Sequence, residues 1–99
     1  MEHSVIIKFD YGMDSLEPLH DLEDKLESII DDAGVGELDG HEIAMDGSDG
    51  FLFMYGPNAE ILFKTIKPVL DETSFIKGGI ATLRFGPPED GVHEIDIEL

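Results

Sequence analysis

The stretch whose reading decides the fold is Asp49-Gly50-Phe51-Leu52-Phe53-Met54-Tyr55-Gly56-Pro57-Asn58, continuing from Ala59 to Leu70. The five apolar residues Phe51 to Tyr55 are too short a run for a helix and rich in rings, so they read as a buried strand. Gly56-Pro57 stops it, since proline offers no backbone donor and restricts the residue before it. Asn58 then supplies the side-chain oxygen that a helix start requires. Ala59, Leu62, Phe63, Ile66, Val69 and Leu70 follow at helical spacing, and Glu60 precedes Lys64 by four in the favourable order. Pro68 falls late in this helix and should kink or loosen it near Phe63 to Lys67. A strand feeding directly into a packing helix, with Phe51, Phe53 and Phe63 on it, is expected to form the centre of the core.

Working outward toward the N-terminus, Asp46-Gly47-Ser48-Asp49-Gly50 has the composition of a hairpin loop, and its spacing does not fit a calcium loop. Before it, Gly36 to Asp46 is weakly patterned and reads as one irregular edge strand, His41 to Met45, with Asp39-Gly40 as a bulge or tight turn. Leu16, Leu19, Leu22, Leu26, Ile29, Ile30 and Ala33 repeat at three and four, the stripe of a helix that faces a sheet. Asp14 and Ser15 are its expected caps, Pro18 fits its first turn, and Gly34 ends it. Ser4 to Tyr11 is a strand buried on the parity of Val5, Ile7, Phe9 and Tyr11.

Toward the C-terminus, Ser74 to Gly79 connects to a strand from Ile80 to Phe85, with Ala81, Leu83 and Phe85 on one side and Thr82 and Arg84 on the other. Gly86-Pro87-Pro88 ends it. Val92 to Leu99 alternates with period two, which is a half-buried strand returning from Glu89-Asp90-Gly91.

The order strand, helix, strand, strand, helix, strand, with a fifth strand after it, resembles the ferredoxin-like α+β sandwich over nearly the whole chain. That resemblance implies two helices on one face of an antiparallel sheet of four to five strands, and it carries no activity. The first and third strands are expected at the sheet centre as parallel neighbours. Strand ends at Tyr11-Gly12, Tyr55-Gly56 and Phe85-Gly86 look alike. By that analogy Phe51, Phe53 and Tyr55 lie under the helices, while Leu52 and Met54 point to the uncovered face near Ile6, Lys8, Thr82 and Arg84.

Composition bounds the function. The 99 residues suit one domain, residues 1–99, and the absence of cysteine excludes disulfides and thiolate chemistry. The first residues lack a signal-peptide pattern, and no apolar run approaches the about 18 residues of a membrane span, so a cytoplasmic protein is expected. Aspartate and glutamate number 23 against six lysines and arginines, for a net charge of −17. Such a field repels phosphate backbones and anionic lipids, which argues against nucleic acid and membranes and for a basic protein partner. The plain alternative is that the charge serves solubility.

Candidate sites are few. The first helix carries His20, Asp24, Glu27 and Asp31 on its outer face, joined by Asp21 and Asp32, with Lys25 placed to pair with Asp21. Asp31 and Asp32 oppose the helix dipole, so local stability does not explain them. Gly50-Phe51-Leu52-Phe53 resembles in part the RNA-recognition motif, which stacks bases on third-strand aromatics. Asp49 stands where that motif has a cation, Leu52 where it has a small residue and Gly56 where it has a second aromatic. His41-Glu42 and His93-Glu94 carry metal-binding chemistry, yet adjacent strand residues point to opposite faces, so neither pair converges on one ion. His3 and His20 read as surface residues.

No phosphate loop or nucleophile triad is visible, and no cofactor or metal is expected. The favoured expectation is a non-enzymatic binding module, of inhibitor, immunity-protein or accessory-subunit type. Its expected partner surface is Asp24, Glu27, Asp31, Leu52 and Met54, facing a basic protein or, in a homodimer, a second copy. The alternative is a small-molecule-binding or acid-base enzyme domain using His41 or His93.

Overall fold

The computed structural model describes residues 2–12, 15–46, 48–87 and 91–99. The chain runs through β1 (His3–Asp10), α1 (Glu17–Ala33), β2 (Glu37–Ile43), β3 (Asp49–Gly56), α2 (Ala59–Asp71), a 3-10 turn (Ser74–Ile76), β4 (Ile80–Arg84) and β5 (Glu94–Glu98). The five strands form one antiparallel sheet in the order β2-β3-β1-β4-β5, and both helices pack on one of its faces. β1 and β3 are neighbours as expected but antiparallel, with Val5 opposite Met54 and Ile7 opposite Leu52. The reason is in the connections. Each helix links strands that are not adjacent, β1 to β2 and β3 to β4, and the strand lying between each pair runs the other way.

The α1 stripe buries Leu19, Leu22, Leu26 and Ile30 as its spacing requires. Gly34, at φ 64°, closes the helix in the left-handed conformation that glycine adopts without strain, and its N–H donates to the carbonyls of Ile30 and Asp31. At the other end Leu16 holds the cap position, and Ser15 acts from one residue further out, its Oγ accepting the N–H of Glu17 at 3.1 Å. Asp14, Gly47, and Glu89 and Asp90 of the expected hairpin return lie outside the described residues. In α2 the Asn58 side chain accepts the N–H of Ile61 at 3.1 Å, as expected of an N-cap. The Glu60–Lys64 pair forms at 3.5 Å, whereas Asp21–Lys25 is absent from the ion pairs of the described residues.

Helix α2 continues through Pro68 to Asp71. Pro68 is exposed, and so is Lys64 four residues before it, whose carbonyl loses its intrahelical donor. That carbonyl lies on the watered side of the helix, where solvent can replace the missing bond.

The third strand reverses the expected faces. Leu52 and Met54 are 0% exposed and sit in the core with Val5, Ile7, Phe9, Ala81 and Leu83, beneath Leu22, Leu26, Leu62 and Ile66. Phe51, Phe53 and Tyr55 are only half-buried, on the opposite face. Leu52 and Met54 are therefore not surface residues, and the partner surface expected to include them has to be corrected. The glycines flanking the strand explain the choice. Gly50 and Gly56 share the parity of Leu52 and Met54, and a Cβ at Gly50 would collide with the side chains of Phe9 and Ile43, one at Gly56 with the carbonyl of Val35. At Gly56 the obstacle is backbone, so that end of the strand must be glycine, and at Gly50 the tips of Phe9 and Ile43 fill the space a side chain would take. The rings go to the open side.

β2 lies at a sheet edge as expected but starts at Glu37 rather than His41, with Asp39-Gly40 as a bulge: Leu38 pairs with Met54 and Gly40 with Phe53. No helix of the described residues is long and apolar enough to cross a membrane.

Candidate functional site

Two surfaces carry chemistry. The first is the sheet face that the helices leave uncovered. Register places Tyr55, Phe53 and Phe51 of β3 beside Ser4, Ile6 and Lys8 of β1, and these beside Arg84, Thr82 and Ile80 of β4. Phe51 and Phe53 stack with ring centroids 6.1 Å apart at 19°, because residues two apart on a strand share a face. Lys8 Nζ stands 6.0 Å from the Phe51 centroid, within cation–π range.

The edges of this face are acidic. On β2, Glu37 and Glu42 lie opposite Tyr55 and Phe51. On β5, Glu94, Asp96 and Glu98 lie opposite Arg84, Thr82 and Ile80. Arg84 Nε donates to Glu94 Oε2 at 2.6 Å and Thr82 Oγ1 to Asp96 Oδ1 at 2.7 Å, which fixes two of those carboxylates in place. The result is an apolar and aromatic strip between two rows of negative charge.

The second surface is on the helix side. Asp24, Glu27 and Asp31 are exposed on α1, as expected. They stand on the layer opposite the open sheet face, and with Leu52 and Met54 in the core they are the part of the expected partner surface that is exposed. Asp24 and Glu27 border a depression shared with His20, Glu23, Leu38, Asp39 and Gly40. Beside it His41 Nδ1 and Glu23 Oε1 are 2.9 Å apart, and the His20 and His41 rings have centroids 6.0 Å apart. One donor atom from each of His20, Glu23 and His41 lies within 4.8 Å of the other two. His41 and Glu42 point to opposite faces as expected, His41 lying opposite buried Leu52 and Glu42 opposite Phe51, and His93 precedes β5 at the far edge of the sheet. The convergence that the sequence did not reveal is that of His41, from β2, with His20 and Glu23 on α1.

The other histidines have structural surroundings. His3 Nδ1 accepts the N–H of Ala59 at 3.0 Å, so it is a helix-capping residue rather than a free surface one. His93 is exposed and packs its ring 5.5 Å from that of Phe85. In the loop before β3, the Ser48 hydroxyl and backbone N–H both donate to Asp46 Oδ1 and hold that carboxyl below its ordinary range.

No protein-family model matches the chain, and neither a curated protein nor a solved structure matches it either. Function must therefore be read from these two surfaces.

Proposed function

We propose that the chain is a non-enzymatic protein-binding module and that the open sheet face is its contact surface. The observation that carries this reading is the apolar strip Ile6, Phe51, Phe53, Tyr55 and Ile80 flanked at both sheet edges by carboxylates. An apolar centre with a polar rim is the anatomy of a protein interface, and aromatic residues are enriched at such centres. The rim is negative, so the complementary partner has an apolar patch ringed by lysine or arginine.

Charge also ranks the other occupants. Two copies of this chain would bring together two molecules each of net charge −17, and a nucleic acid would add its own phosphates. The outward rings have the arrangement of a base-stacking platform, but the carboxylates beside them oppose a polyanion. Within this reading the fold is a ferredoxin-like sandwich extended by β5. The strand and helix succession, and the neighbouring positions of β1 and β3 inside the sheet, support that.

The test is affinity capture with the wild-type chain and with a Phe51→Ala/Phe53→Ala variant whose amide spectrum confirms an intact fold. The expected result is a basic protein retained at low salt by the wild type, released as salt rises, and lost by the variant. Equal capture by both, or capture that strengthens with salt, would sink the reading, and the second outcome in a purified sample would indicate self-association.

A further inference from the structure

The geometry points to a binding site for a divalent transition metal ion of the zinc class, built by His20, Glu23 and His41. This inference is independent of the sheet face and lies on the other side of the molecule.

Three features of the chain assemble the site. His20 and Glu23 are three residues apart on α1, the spacing that puts two side chains on one helix face. His41 comes from β2, and the bulge at Asp39-Gly40 determines where it points. Before the bulge Leu38 shares the core side with Met54, and after it Gly40 pairs with Phe53 and His41 with Leu52. In an unbroken ladder His41 would fall opposite Phe51 and face the open side with the rings. The extra residue turns it toward α1 and sends Glu42 the other way.

The distances suit one ion. Two ligands each about 2.1 Å from a metal stand roughly 3.0–3.5 Å apart. His41 Nδ1 and Glu23 Oε1 are 2.9 Å apart, and all three donors fall within 4.8 Å, a gap that small side-chain rotations close. Two imidazoles and one carboxylate favour borderline ions such as Zn(II), Co(II) or Ni(II) over Mg(II) or Ca(II), which prefer oxygen ligands alone. The neighbouring Asp24, Glu27 and Asp39 raise the local cation concentration without being needed as ligands. Three protein ligands leave a coordination position for water.

The experiment is titration of the chelator-stripped full chain with Co(II), followed by visible absorption and calorimetry, in excess Mg(II) to saturate unspecific carboxylates. Expected are one Co(II) per chain and d–d bands displaced by Zn(II). His20→Gln, His41→Gln and Glu23→Gln should each weaken binding about tenfold or more, while His93→Gln and Asp31→Asn leave it unchanged. Absence of stoichiometric binding under excess Mg(II) would overturn the site and leave Glu23–His41 as a hydrogen-bonded pair only. Equal binding by the three ligand variants, all of them at partly exposed positions that circular dichroism can check for folding, would overturn it too.

Discussion

His3 Nδ1 accepts the backbone N–H of Ala59 at 3.0 Å, so a side chain at the start of β1 satisfies the first free donor of α2. Asn58 covers the N–H of Ile61 in the same turn, and the two caps answer different donors. His3→Ala should cost about 1 kcal/mol, the usual worth of a capping group. Urea unfolding of the two proteins measures it. An unchanged midpoint would mean that water replaces the imidazole at no cost.

The reversed faces of β3 make a contrast that mutagenesis can read. Leu52→Ala, which empties a wholly buried position, should destabilise by about 2–5 kcal/mol. Phe53→Ala removes a larger side chain but a half-buried one, and about 1 kcal/mol is expected. The ranking, with the smaller residue costing more, is the decisive part. The opposite order would mean that the rings lie under the helices after all.

Removing one residue from the bulge tests its effect on His41. A chain lacking Gly40 has Leu38 and His41 two residues apart, so β2 should pair with β3 in an unbroken ladder with Asp39 opposite Phe53 and His41 still opposite Leu52, on the side of Glu23. The measurable consequence is retention of the nuclear Overhauser contacts between the His41 ring and α1, together with the core signals of Leu52 and Met54. Loss of those contacts would show that pairing register with β3 does not aim this histidine.

The Asp46 carboxyl is held below its ordinary range, chiefly by the Ser48 hydroxyl and then by the Ser48 N–H. A depressed value in the folded state contributes stability that is present above the unfolded value and lost as pH falls through the folded one. The loop should therefore be insensitive to pH near neutrality and loosen only in acid below the ordinary carboxylate range. Ser48→Ala should move the Asp46 titration upward, as followed by carbonyl carbon shifts. A curve that does not move would remove the hydroxyl as the cause.

Self-repulsion at net charge −17 should make the melting temperature climb with added salt by several degrees as the Debye length shrinks to about 3 Å near 1 M. Calorimetry in a chloride series measures this. A flat response would mean that the acids are compensated locally.

The helices were legible because their signals are local. Leu19, Leu22, Leu26 and Ile30 declare a face by spacing alone, and Asn58 and Gly34 mark ends by chemistry that acts within a few residues. β3 was not, since every position from Phe51 to Tyr55 is apolar and alternation carries no sign there. The information lay instead in Gly50 and Gly56, whose lack of a side chain marks the face of close approach, whereas the resemblance of Tyr55-Gly56 to Tyr11-Gly12 misled because an aromatic before a strand-ending glycine can fall on either face. His20 and His41 could not be joined from the sequence. Their meeting depends on how α1 lies over β2 and on a one-residue slip that Asp39-Gly40 left open between bulge and turn.

The two outer strands of the sheet leave backbone donors and acceptors free on β2 and β5, the usual template for runaway strand addition between identical molecules. Here Glu37, Asp39 and Glu42 guard one border and Glu94, Asp96 and Glu98 the other, so a second copy arriving edge-on meets its own sign of charge on either side. That makes the acidity a form of insulation. The aromatic face therefore lies between two borders that each repel a like border, and strand addition between identical chains is opposed from both sides.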